Sequence, residues 1–300
     1  MKWVGDNSVM TKQPDTRQSV RRHAVANGVK ALPQIKNIIA VASGKGGVGK
    51  STVAVNLALA LHSLGASVGL LDADIYGPSQ PHMLGVSHKP IIKDDKSIEP
   101  IVIHGLQTMS IGYLINADTP AVWRGPMVSG ALQQMLSSTN WHDLDYLLID
   151  LPPGTGDIQL TLAQKVPVCG AVIVTTPQDI ALLDVTKAIS MFERVKVPIL
   201  GIIENMSMHT CSNCGQQEHI FGSDGGVNLA VAHKTSVLGS LPLARRIREL
   251  SDAGQPLVIS EPDSAHAQIF LDIARNLAAV IAKLPRNLNV PLGNLVIEEN

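Results

Sequence analysis

The chain has 300 residues, 45% of them hydrophobic, which is enough for one large α/β core or two small domains. A formal net charge of −1, no long basic run and only 3% aromatics argue against nucleic acid as the main partner. Three cysteines are too few for a disulfide framework in a chain this long, and they suit a reducing compartment where paired cysteines serve metal or redox chemistry.

Residues 1–36 are mixed and polar, with Pro14 and Pro33 and no sustained period. They read as a tail, with a short helix expected around Val20–Val29. The opening "MKWVGDNSVMTKQPDTRQSVRR" has no apolar stretch of signal-peptide length. Arg17, Arg21 and Arg22 hint at an organellar presequence, but Asp6 and Asp15 weigh against one, so a cytoplasmic location is expected. The apolar runs are strand-sized, and no membrane partner is expected.

From Asn37 onward short β-branched runs recur: "NIIAVAS", "SVGLLDAD", "YLLIDLPP", "AVIVTTPQ", "PILGIIENMS" and "VLGSLP". They are continuous rather than alternating, as strands buried on both faces of a parallel sheet must be. Helical patterns lie between them, notably "STVAVNLALALHSLG", closed by Gly65, and "ALLDVTKAISMFERV". Strands alternating with helices predict a doubly wound, mostly parallel α/β sheet flanked by helices. Residues 85–113 read as an insertion with short strands at "IEPIVI" and "LQTMSIGY", and residues 206–236 as a loop-rich stretch. The apolar spacing of Ile269, Phe270, Ile273, Leu277, Val280, Ile281 and Leu284 predicts a terminal helix with one buried face. The last residues, 287–300, read as a second tail.

"GKGGVGKST", Gly44 to Thr52, satisfies G-x-x-x-x-G-K-[ST] between a predicted strand and a predicted helix. Gly44, Gly46, Gly47 and Gly49 let the backbone curl so that N–H groups, Val48's among them, face an anion at a helix N-terminus. Lys50 is expected to reach the β- and γ-phosphates of ATP, Ser51 to sit on Mg2+, and Thr52 to bond the α-phosphate. Lys45 is a second lysine at the rim. Its ordinary reading is a solvated surface charge. Its functional reading is a charge supplied in trans to the phosphates of a facing subunit, as an arginine finger is.

Three aspartates end core-like strands. Asp72 is expected to support the Mg2+ shell and Asp74 to orient the attacking water, while Asp150 is a Walker-B-type acid holding Mg2+ through water. Gly154, four residues beyond Asp150, offers an N–H to the γ-phosphate; Asp157 is a further candidate. Any one such aspartate is often only a cap or a turn former, so the weight rests on the set.

Cys211 and Cys214 form a C-x-x-C in the loop-rich stretch. A thioredoxin-like pair would open a helix in a different fold. A zinc site with His209 and His219 would give four ligands, although the histidines lack the usual spacing. A site shared across a two-fold axis would give four thiolates, the set that a [4Fe–4S] cluster takes. Cys169, within "VPVCGAVIV", reads as a buried, inert thiol.

Together these residues resemble a known group. Lys45 in "GKGGVGKS" resembles the signature lysine of the deviant Walker A ATPases, which include MinD, ParA and the nitrogenase iron protein. Within that group "LLDADIYGPS", "WRGPM", "LLIDLPPGTGD", "VTTPQ" and "ENMS" followed by C-x-x-C-G look like the Mrp/ApbC iron–sulfur cluster carriers, over about residues 37–284. The resemblance implies a P-loop ATPase domain over 37–286. It implies Asn205 reading the adenine amino group, Leu241 to Leu243 with Pro242 bordering the base, and Lys45 crossing a homodimer interface. It implies Cys211 and Cys214 ligating a cluster passed from scaffold proteins to apo iron–sulfur proteins. Two departures stand out: residues 1–36 are too short for the N-terminal domain of many family members, and Asp224 in "IFGSDGG" stands where a glycine is expected. The expectation is therefore a homodimeric, ATP-hydrolysing [4Fe–4S] carrier; the alternative is a MinD/ParA-like positioning ATPase with a zinc-stabilised loop.

Overall fold

The computed structural model describes residues 20–23, 31–114, 125–211 and 213–286. Trp123, Arg124, the side chain of Asp157, the 287–300 tail and the expected N-terminal helix beyond His23 lie outside the described residues.

In chain order the first half runs β1 (Ile35–Ala42), α1 (Lys50–Ser63), β2 (Val68–Asp72), α2 (Gln80–Met83), β3 (Ile101–Ile103), β4 (Leu106–Ser110), α3 (Ile111–Leu114), α4 (Gly125–Ser138) and β5 (Leu144–Asp150). There follow α5 (Asp157–Lys165), β6 (Val168–Thr175), α6 (Asp179–Arg194), β7 (Ile199–Glu204), β8 (His209–Thr210) and β9 (Gln217–Glu218). The chain then forms α7 (Gly225–Ala232), β10 (Val237–Ser240), α8 (Arg245–Asp252), α9 (Leu257–Ser260) and α10 (Ala265–Ala282).

Eight strands form one sheet in the order β10-β7-β6-β1-β5-β2-β4-β3, parallel except for the β3–β4 pair. The apolar runs explain this. Every residue of β6 is buried, and all but one of β1, so both sheet faces must be covered. Alternate side chains of β1 enter opposite layers. Ile38, Ala40 and Ala42 join Leu132 of α4 and Val185 and Phe192 of α6. Ile39 and Val41 join Leu57 of α1 and Phe270 and Leu277 of α10. Burying one such large side chain fully stabilises the fold by roughly 1.5–3 kcal/mol.

α1 is buried at every position from Val53 to Leu61, because it lies between the sheet and α10. It ends where expected, with the Gly65 N–H on His62 O (2.8 Å) and the Ala66 N–H on Leu61 O (3.2 Å). The terminal helix also forms, and Ser264 Oγ accepts from the Ala267 N–H at its start.

Two expectations change. The 85–113 stretch is not a separate insertion, since its β4 joins the sheet parallel to β2. The 206–236 stretch contains α7, and Asp224 takes the left-handed backbone (φ 62°) that a glycine there would supply.

β1 sits between β5 and β6; the crossover from β1 runs one way to β2 and that from β5 runs the other way to β6, so the carboxyl ends of the central strands open a crevice at the point where strand order reverses.

Candidate functional site

The loop from Ser43 to Lys50 leaves β1 at that crevice. Gly44 packs on α6, where a Cβ would lie 2.4 Å from backbone atoms of Asp184 and Val185. A side chain of any size there would therefore collide with that helix. Gly49 has φ 80°, and a Cβ there would meet Asn205 Nδ2 at 2.3 Å. That amide donates to Val48 O (2.8 Å), so Asn205 pins the loop that it closes. Val48 is buried, Gly46 and Gly47 are exposed, and Ser51 and Thr52 are half-buried at the first turn of α1. Lys45 is half-buried and donates to Gln178 Oε1 (3.4 Å), which also accepts from Thr176 Oγ1 (3.2 Å).

Strand register assembles the acids. Asp72 of β2 lies opposite Asp150 of β5 and Ser110 of β4. Both aspartates are fully buried. Lys50 Nζ forms a buried ion pair with Asp150 Oδ1 and approaches Ser51 Oγ (3.3 Å). Asp150 Oδ2 accepts from Gln80 Nε2 (2.8 Å). Asp72 accepts from the N–H groups of Gln80 and Asp74 and from the Ser110 hydroxyl, each at 3.1 Å. Burial, then the Asp150 charge, pushes the Asp72 carboxyl up to about 7 despite those donors. Asp74 is half-buried and accepts from the Gly77 N–H (3.3 Å). Burial raises its pKa, and Lys50 opposes the rise.

Asp74 lines an open cleft of about 560 Å³ with Tyr76, Pro153, Gly154 and Gln159. The Gly154 N–H donates to Ser43 O (3.0 Å), a bond that must break before that group can face a phosphate. Ser51, Asp72 and Asp150 offer hard oxygen donors, the set that suits Mg2+.

Beyond Asn205 the chain runs beside Leu241–Leu243. The Ser207 N–H donates to Leu241 O (2.9 Å) and the Leu243 N–H to Met208 O (2.8 Å), which places half-buried Pro242 along the same edge. The stretch then enters the β8–β9 hairpin, whose turn carries both thiols. The Cys211 N–H donates to Gln216 O (2.8 Å), and Cys211 O accepts from the Gly215 N–H (2.9 Å). Cys214 is exposed and Cys211 half-buried. Hydrogen bonds from the Cys214 and Asn213 backbone, and from the Cys214 side chain, hold the Cys211 thiol below its ordinary range, which favours the thiolate that a metal binds. His209 Nδ1 faces Leu243 O (3.2 Å) and His219 Nδ1 faces Ser207 O (2.8 Å), so each ring is anchored to the stretch. Among the described residues no group of three or more His, Cys, Asp or Glu side chains is arranged to hold a metal ion. Cys169 is buried, and burial pushes its thiol up to about 12.

Sequence reasoning missed Gln80 and Ser110, and it met Gln178 only as the end of "VTTPQ", with no role of its own. Gln80 stands eight residues beyond Asp72, just past "DADIYGPS", and only its contacts mark it.

The family model described as "ParA: NUBPL iron-transfer P-loop NTPase" matches residues 34–278. An iron–sulfur cluster carrier protein of Pseudomonas fragi is 58% identical over 254 residues, 84% of this chain and 88% of that one. Its Escherichia coli K12 namesake is 58% identical over 265 residues, 88% of this chain and 70% of that one. The iron–sulfur cluster transfer protein NUBPL of Dictyostelium discoideum is 50% identical over 249 residues, covering 82% and 77%. Among solved structures, an Archaeoglobus fulgidus nucleotide-binding protein in complex with ADP is 40% identical with a TM-score of 0.68, covering 79% of this chain and 93% of that one. The Pyrococcus furiosus cell division ATPase MinD, at 22% identity and a TM-score of 0.63, covers 81% of this chain and 99% of its own and shares the fold.

Proposed function

Because the chain belongs to the ParA/NUBPL family of iron-transfer P-loop NTPases, we propose that it is an ATP-hydrolysing iron–sulfur cluster carrier. Two chains together hold a bridging [4Fe–4S] cluster as cargo and pass it to apo-proteins. The observation that carries this reading is one short stretch: Asn205 is bonded to the phosphate loop at Val48 O (2.8 Å), and Cys211 follows six residues later. A shift of the loop is felt directly by the stretch that leads to the thiols.

Before nucleotide binds, Lys50 neutralises Asp150. The phosphates of ATP draw the ammonium away, and Asp150 is freed for the metal shell. Ser51, Asp72 and Asp150 would hold Mg2+, which when bound neutralises charge on the β- and γ-phosphates. Asp74, made more basic by burial, orients a water whose oxygen bonds the γ-phosphorus as the bond to the bridging oxygen breaks, leaving ADP and phosphate. Lys45 leaves Gln178 for the phosphates bound by the partner chain. Two thiols per chain make half of a four-sulfur set, which an isologous dimer completes. No described helix is long and apolar enough to cross a membrane, and the reading places the chain in the cytoplasm with free apo-proteins as recipients.

The test is Lys50→Ala in cells that depend on the protein: hydrolysis and cluster delivery should fall together. Delivery that persists without hydrolysis would separate the two.

A further inference from the structure

Gln80 is only 1% exposed, yet one atom of its side-chain amide, Oε1, has no hydrogen-bond partner among the described residues. The amide orientation is fixed by chemistry. Nε2 lies 2.8 Å from Asp150 Oδ2 and 3.1 Å from Ser51 O, both acceptors, so the NH2 end must face them. The backbone N–H of the same residue donates to Asp72 Oδ2 (3.1 Å). Gln80 thus touches each of the three residues whose oxygens suit Mg2+, and it carries a spare buried acceptor among them. Such an acceptor costs stability unless a donor reaches it in some state of the protein.

We propose that Gln80 is a positioning residue for the magnesium shell: its NH2 group holds Asp150 in place after Lys50 departs, and its Oε1 accepts a hydrogen bond from a metal-bound water. This rests on the Mg–ATP reading above. Lys50 and Gln80 now hold one oxygen each of Asp150. When Lys50 turns to the phosphates, Gln80 is the side-chain contact that remains among the described residues. Partners of this outer kind commonly set metal affinity by ten- to a hundredfold. A glutamine of the right length is needed, since the amide must span from Ser51 O to Asp150.

The test is a titration of Mg2+ into each protein saturated with a fluorescent ATP analogue, for wild type and for Gln80→Met, with the analogue's affinity in EDTA and the melting temperature measured alongside. The variant should need about tenfold more Mg2+ while its affinity in EDTA stays at the wild-type value. An Mg2+ midpoint within threefold of wild type would overturn the role of Gln80. If wild type itself shows no Mg2+ dependence, the Mg–ATP reading fails instead. Should Gln80→Met not fold, a crystal structure of the wild type with Mg2+ and a non-hydrolysable analogue decides: a metal-bound water within hydrogen-bond distance of Oε1 supports the proposal, and an Oε1 still without a donor ends it.

Discussion

Asp72 and Asp150 are register partners on β2 and β5, both fully buried, and Lys50 forms its ion pair with Asp150. Two buried carboxylates sharing one ammonium cannot both be ionised cheaply. The strain is placed where a phosphate-bound cation is expected to relieve it.

A pH dependence follows. The Asp72 pKa is raised from 3.8 to about 7, so between those values the folded state binds more protons than the unfolded chain. Stability from this group is therefore fully present at the acid end and falls as pH rises through about 7. In EDTA and without nucleotide, the protein should gain about 1 kcal/mol between pH 8 and pH 6. Asp72→Asn, which mimics the protonated form, should flatten that gain. Denaturant melts at the two pH values check it, and an unchanged slope in the variant would contradict it.

Removing the cation should be costly. Lys50→Met leaves Asp150 buried with Gln80 as its remaining side-chain partner among the described residues and should destabilise the nucleotide-free protein by about 3 kcal/mol. Lys50→Met combined with Asp150→Asn should lose much less than the sum of the single changes. Additive losses in urea unfolding would mean that the pair does not interact as described.

Asn205 has a structural bond and a proposed recognition role, and the two are separable. Asn205→Ala frees Val48 O and should cost about 1 kcal/mol of stability. If Asn205 also reads the adenine amino group, ATP affinity should fall about tenfold while GTP affinity hardly moves. Calorimetric binding of both nucleotides distinguishes the cases, and equal losses for ATP and GTP would leave only the structural role.

Lys45 lies against Gln178 of its own chain, at the rim of the loop. A Lys45→Ala chain mixed with a Lys50→Ala chain should regain hydrolysis if lysine acts across the interface, because one site then keeps its own Lys50 and receives the partner's Lys45. Purified heterodimers that stay inactive would return Lys45 to the surface-charge reading.

What could be read from the sequence was local or periodic. β1 and β6 are continuous apolar runs because both of their faces are covered, and the phosphate loop is contiguous. β4 was read as a short strand, but its place in the main sheet beside β2 was not. Its Thr108 is polar, yet it is buried because its hydroxyl donates to Ile101 O (2.9 Å) and pairs with Tyr113 Oη (3.0 Å), partners that no periodicity reveals. α7 was hidden by Gly225 and Gly226, which read as breakers; in the fold the Gly226 N–H caps onto the buried Glu204 carboxylate (3.0 Å). Gln80 was invisible for the same reason, since its three partners lie on three separate segments. Cys211 and Cys214 were legible as a C-x-x-C pair, and among the described residues no third His, Cys, Asp or Glu side chain joins them in a group arranged to hold a metal ion.

The central claim is that this chain supplies half of a cluster site. Anaerobic reconstitution with iron and sulfide, read by native mass spectrometry, tests it most directly. Wild type should appear as a dimer carrying one [4Fe–4S] cluster per two chains, and Cys211→Ala/Cys214→Ala should carry none. A monomer holding one zinc ion and no sulfide, or a cluster retained by the double variant, would contradict it.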